Sequence, residues 1–255
     1  MSTKKQHYIP RFILKRFAFE ITSKNKYIVY LYNTETEKEI CVDIASIKCF
    51  KNYLYELKKD NEIVNVNLIE KMFSKKEHEW NKIFDKIEKQ EKLVECEIKN
   101  IKKFVVLQLL RTPNSMELWI ETMKQYDIDL EYLYNYFKVG AFYLSDNNEG
   151  ECIFKNVYDK IAKERKVLIG YTNKNLILNT ELPVLLYEKN EPTELIYIPI
   201  SPNIIMGLLK DDNYDKKLKV EYKSLSDGFV EFSNMQHLNT ARFVISKEPI
   251  KETYK

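Results

Sequence analysis

Glycine and proline are scarce: 255 residues hold 5 glycines and 7 prolines. That composition excludes a propeller, a glycine-rich nucleotide-binding fold and a disordered chain. The phosphate-cradling patterns G-x-x-x-x-G-K-[ST] and G-x-G-x-x-G are missing, as is the zinc helix H-E-x-x-H. The R-x-x-x-x-x-H pair of helical ribonucleases is missing too, so the common ATP- and NAD-dependent folds and that nuclease type are set aside. Four cysteines, Cys41, Cys49, Cys96 and Cys152, form no C-x-x-C pair, and no H-x-x-x-H accompanies them. No metal centre is expected from them, and the thiols are expected to be free. There is no apolar run of about 18 residues that would span a membrane. The first twenty residues are too basic, and their apolar run too short, for a signal peptide. A cytoplasmic protein without membrane contact is therefore expected.

Hydrophobic residues make up 44% of the chain and charged residues 31%, enough to bury a core. With 41 Lys+Arg against 38 Asp+Glu, the net charge of +3 neither favours nor excludes nucleic acid as a partner. The length admits one large domain or two small ones; without a linker or repeat, a single domain over residues 1–255 is expected.

Hydrophobic periodicity changes twice along the chain. Lys26 to Asn33 and Lys38 to Ile44 flank the turn Asn33-Thr34-Glu35-Thr36 and read as a hairpin. From about Asn67 the apolar spacing becomes helical: Leu68, Met72, Phe73, Trp80, Ile83, Phe84 and Ile87 form one stripe. A second helix is expected from about Val94 to Leu110, a third from about Met116 to Lys138 and a fourth within 151–163. From Lys166 onward, Val167–Thr172, Leu176–Asn179, Val184–Tyr187, Glu194–Ile198 and Ile204–Leu209 read as strands, and Ser233–Phe243 as a closing helix. The expected class is α+β: a helical middle over 67–163 and a mainly β region over 166–210. An antiparallel or mixed sheet would be formed by the N-terminal hairpin and the C-terminal strands.

Only three histidines occur, and His7 opens the segment His7-Tyr8-Ile9-Pro10-Arg11-Phe12-Ile13-Leu14-Lys15-Arg16-Phe17. Pro10 suits the first turn of a helix and keeps the residues before it extended. His7 could serve as a general base or phosphate ligand, or its ring could hold a turn. Gln108 and Arg111 share a helix face three residues apart. Arg111 could bind a phosphate through its planar fork, or hold the helix C-terminus just before Thr112-Pro113. Glu181, in Asn179-Thr180-Glu181, could be a base, a metal ligand or a partner of Arg111 or His7, and Asn179 and Thr180 could equally bond their own backbone in a turn. Ser201-Pro202 lacks a G-x-S-x-G frame, and its proline-rich neighbours favour a rigid turn over a nucleophile; alternatively Pro202 starts a helix with Ser201 as its N-cap. Asn239 could anchor the last helix or contact substrate. His78, amid Lys75-Lys76-Glu77-His78-Glu79, is expected to be solvated.

Several of these segments resemble, in order, the motifs of a bacterial family of unknown function, DUF4238. The N-terminus resembles H-Y-x-P-x-x-x-L-x-x-F. Asn52-Tyr53-Leu54-Tyr55-Glu56 resembles N-x-L-Y-E, and Gln108 to Pro113 resembles Q-x-x-R-T-P. Asn179 to Val184 resembles T-S-D-x-P-V, with Thr180 and Glu181 at the Ser and Asp positions. Pro199-Ile200-Ser201-Pro202 resembles P-L-S-P, and Leu238-Asn239 with Ala241-Arg242 resembles the terminal L-N…A-x-R. Proteins resembling this family occur among anti-phage defence candidates. The resemblance thus implies a toxic effector, a nuclease or nucleotide-modifying enzyme, acting on nucleic acid or nucleotides. In that reading His7 and Glu181 are catalytic, and Gln108, Arg111, Arg11 and Asn239 bind substrate phosphate. The basic residues Lys4, Lys5, Arg11, Lys15 and Arg16 are compatible with phosphate contact. No cofactor is implied, although a divalent metal would be compatible with the site. A second copy of the chain or a phage-derived protein would be compatible partners. Two other classes stay open: a sensor module without chemistry, and a scaffold whose polar motifs tie the N-terminus to the sheet.

Overall fold

In the computed structural model, residues 4–146, 151–188, 194–210 and 220–253 are described. Strand β1 (Lys5–His7) is extended up to Pro10, which stands at the N-cap of α1 (Arg11–Arg16). Strands β2 (Glu20–Ile21), β3 (Tyr27–Asn33) and β4 (Lys38–Asp43) follow, then β5 (Phe50–Asn52), which pairs antiparallel with β1 so that His7 stands opposite Phe50. The short β6 (Lys58–Lys59) and β7 (Glu62–Ile63) form a hairpin over Asp60 and Asn61, both at positive φ, as a tight two-residue turn requires.

The helical middle consists of α2 (Leu68–Glu88), α3 (Glu95–Leu110), α4 (Pro113–Met123), α5 (Leu130–Ala141) and α6 (Ile153–Ile161). The expected third helix is two helices. The chain breaks at Asp127, which takes a left-handed φ of 53°, and Asp129 restarts it by capping the N–H of Tyr132 at 2.9 Å.

The C-terminal part supplies β8 (Arg165–Tyr171), β9 (Leu178–Asn179), β10 (Leu185–Tyr187), β11 (Leu195–Ser201), β12 (Ile204–Lys210) and β13 (Val220–Ser224). After these come α7 (Asp227–Thr240), β14 (Phe243–Ser246) and α8 (Ile250–Thr253). Two five-stranded sheets result. One runs β10-β11-β12-β8-β13, antiparallel except for the β13–β8 pair. The other is built on the N-terminal hairpin: β3 pairs with β4, β2 and β14, and β14 pairs with β9. The hairpin therefore joins C-terminal strands, but through β14, not through the main sheet. The tail differs from expectation in the same place, because α7 stops at Thr240 and Phe243 begins β14. Ser201 and Pro202 start no helix; Ser201 ends β11 and Pro202 with Asn203 forms the turn into β12.

All seven residues of β11 are buried. Alternation sends Ile196, Ile198 and Ile200 into the main core with α2 and α3, and Leu195 and Tyr197 into a second core under α7. The main sheet is thus a middle layer with helices on both faces. Glycine is used where a side chain cannot fit: a Cβ on Gly207 would lie 2.6 Å from the Ile196 carbonyl oxygen.

Candidate functional site at strand β1

Gln6, His7 and Tyr8 separate by extended-chain alternation. Gln6 and Tyr8 are buried, and His7 lies half-buried on the other face. Gln6 donates to Glu56 Oε1 at 2.7 Å and accepts the N–H of Tyr55 at 2.6 Å. The buried Glu56 carboxylate also receives the Asn67 N–H at the start of α2, 3.0 Å from each oxygen. Tyr8 donates its hydroxyl to the Lys48 carbonyl at 2.9 Å, and its own carbonyl accepts from Gln108 Nε2 at 2.7 Å. Residues around β1, β5, α2 and α3 are thereby locked together by bonds that are strong because water is excluded.

Arg111 is 2% exposed. Its Nε donates to the Tyr55 hydroxyl at 3.0 Å, its Nη1 pairs with Glu77 at 2.6 Å, and its guanidinium lies over the Phe73 ring at 4.0 Å. The Tyr55 hydroxyl proton reaches the carbonyl of His7 at 3.2 Å or that of Arg111 at 3.4 Å. Arg111 thus spends its fork on α2 and Tyr55 and does not cap its own helix. Thr112 instead caps α4 by accepting the Ser115 N–H at 3.3 Å, with Pro113 at the first helical position.

His7 sits in a cationic neighbourhood. Burial, then Arg11, Arg111 and Lys5, hold its imidazole down at about 4, so the ring is neutral near pH 7. The ring lies 5.5 Å from Phe50, and Lys5 Nζ lies 4.6 Å from the centroid of the same ring. Lys5 and Arg11 are exposed and form no ion pair among the described residues. Two others of the basic set, Arg16 and Lys15, are committed elsewhere. Arg16 binds Asp85, Glu88 and Asn81 on α2, and Lys15 lies over Tyr27.

The charge of Glu181 is felt at Tyr8 and at the buried Cys49 thiol, both pushed up chiefly by burial. Its Oε2 accepts the Arg242 N–H at 3.4 Å, and its own N–H bonds Asn179 Oδ1 at 2.7 Å in a side-chain turn. The Asn179-Thr180 pair fastens β9. Asn179 donates to Thr240 and Thr180 to the Phe243 carbonyl, while the Asn179 N–H goes to His237 Nδ1 at 3.3 Å. Asn239 is exposed on the last turn of α7, and His78 is exposed on α2. Among the sequence-predicted residues, then, the charges of Arg11 and Arg111 reach His7, Gln108 holds the strand that carries His7, Glu181 acts on the neighbouring Tyr8, and Asn239 is exposed on α7.

The family model described as a protein of unknown function, DUF4238, matches residues 5–137. The chain belongs to this family. The matched part of this DUF4238 protein runs from β1 into α5 and includes His7, Tyr55, Gln108 and Arg111; Glu181 and Asn239 lie beyond it. No curated protein and no solved structure matches the chain.

Sequence reasoning missed the partners on α2. Glu70, Phe73 and Glu77 recur at helical spacing and face Arg111. Burial pushes the Glu70 carboxyl up to about 7, with Arg111 opposing and Glu77 and Glu56 adding to the rise. The signal was available as two carboxylates seven residues apart flanking a phenylalanine of the apolar stripe. Among the described residues no group of three or more His, Cys, Asp or Glu side chains is arranged to hold a metal. No described helix is long and apolar enough to cross a membrane.

Proposed function

We propose that this DUF4238 protein is a defence effector acting on nucleic acid or nucleotides, with its phosphate chemistry at the exposed edge of β1. One observation carries the reading: the half-buried His7 imidazole lies against the Phe50 ring that Lys5 also covers, and the charges of Arg11 and Arg111 reach it. Such a setting attracts an anion and leaves the ring free to take a proton. Lys5 and Arg11 would hold the phosphoryl oxygens. His7 would accept the proton of an attacking hydroxyl or water, and the bound anion would raise its basicity at that moment. Arg111 contributes charge and position through Tyr55, not a phosphate contact.

The enclosure of Gln108 and Arg111 favours a second reading, in which the family motif is a scaffold that fastens β1 to the helices. The two separate on wild type and His7→Ala produced in a bacterial host. Phage restriction, growth, and RNA and DNA integrity would be followed, and the purified proteins melted. The effector reading expects His7→Ala to lose activity with unchanged melting. Retained activity, or activity and melting lost together, supports the scaffold.

A further inference from the structure

Helix α5 presents Glu131, Asn135 and Lys138 on one face, each about one turn from the next, toward the β6–β7 hairpin. The first two are committed to that hairpin. Glu131 accepts the N–H groups of Asp60 and Asn61 at 2.9 and 2.8 Å. Asn135 bonds both the N–H and the carbonyl of Lys58, at 3.0 and 2.5 Å. Lys138 is different. Its side chain is buried, and its ammonium donates to the Glu56 carbonyl at 2.7 Å with the Tyr134 ring 5.9 Å away. Among the described residues no carboxylate pairs with it. Burial first, and then Lys58, push it down to about 8, with Glu56 opposing.

A buried cation without a carboxylate at ion-pair distance is costly and needs a reason to persist. Here it borders a cavity of about 370 Å³ lined by Lys138, Lys58, Tyr53, Tyr134 and Leu130 together with the committed Glu131 and Asn135. That volume falls within the range of small-molecule sites. Tyr53 reaches the cavity from a left-handed backbone, φ 56°, which a bulky residue seldom adopts.

We propose that this cavity binds a small organic oxyanion, a carboxylate or phosphate monoester, whose charged end pairs with Lys138 and Lys58 and whose apolar body lies against Leu130 and the rings of Tyr134 and Tyr53. The site is separate from the His7 edge and does not depend on its chemistry.

Titration calorimetry with phenyl phosphate, benzoate and inorganic phosphate tests it on wild type, Lys138→Met, Lys58→Gln and His7→Ala. Benzoate, which has no phosphoryl group for the His7 edge, should bind wild type and His7→Ala alike; phenyl phosphate should protect Lys138 as benzoate does, and inorganic phosphate should not. Lys138→Met should weaken binding by about tenfold or more, the equivalent of about 1.4 kcal/mol. Lys58→Gln should weaken it less, because that lysine is exposed. A measurement on the wild type guards against misfolding of the Lys138 variant: acetylation of Lys138 by acetic anhydride, read by peptide mass spectrometry, should slow when the ligand is present. The proposal is overturned if benzoate does not bind, if its binding survives Lys138→Met or disappears in His7→Ala, or if it leaves Lys138 acetylation unchanged.

Discussion

Gln108 donates its side-chain amide to the backbone carbonyl of Tyr8 across 2.7 Å, joining residues one hundred positions apart. The bond fixes the strand that carries His7 onto the last turn of α3, just before Arg111. The family motif at both ends is therefore one physical unit. Gln108→Leu keeps the volume but leaves the Tyr8 carbonyl unpaired, at a cost of about 1–3 kcal/mol. Urea unfolding should show a lower midpoint with an unchanged slope.

Arg111 serves Tyr55, Glu77 and Phe73 at once. A lysine ammonium is a point charge and cannot reproduce that arrangement. Arg111→Lys should lower stability by about 3 kcal/mol, as expected when a buried pair loses a partner. Thermal melting checks it; unchanged melting would mean that the guanidinium is not structural.

Two histidines set the acid limit. Burial holds His237 down at about 3, and burial with Arg11, Arg111 and Lys5 holds His7 at about 4, both from an ordinary 6.5. The unfolded chain therefore binds protons that the folded chain refuses, so stability should fall as pH drops below 6.5 toward those values. Unfolding free energy measured against pH should show this limb, and His237→Asn should flatten it.

Glu70 acts with the opposite sign. Its carboxyl sits at about 7 in the fold against an ordinary 4.5, so the folded chain holds the proton longer. Stability contributed by the protonated form is present below 4.5 and is lost as pH rises through 7. Glu70→Gln should melt higher than wild type at pH 8 and match it at pH 4.5.

Helix periodicity was legible because the stripes on α2 and α3 face one core. The change to strands at Lys166 was equally plain, since Val167 and Ile169 alternate with Leu168 between two cores. The end of α7 was not legible. Phe243 and Val244 fit a helical stripe as well as a strand, and pairing with Tyr32 and Asn33, some 210 residues earlier, decides between them. In the site, His7 and Arg111 stood out as uncommon polar choices. The commitments of Arg16 to α2 and of Arg111 to Glu77 are tertiary ion pairs that no local pattern reports. Lys138 was invisible for the same reason: in sequence it reads as one more surface lysine.

The most direct measurement is the ring resonances of His7, followed by NMR against pH, with and without inorganic phosphate and a mononucleotide. A neutral base among cations should titrate near 4 in the free protein. Its apparent pKa should rise toward the ordinary 6.5 when phosphate is bound, with a smaller rise in Arg11→Gln. A His7 that titrates at its ordinary value, or that ignores both anions, would contradict a phosphate site at β1.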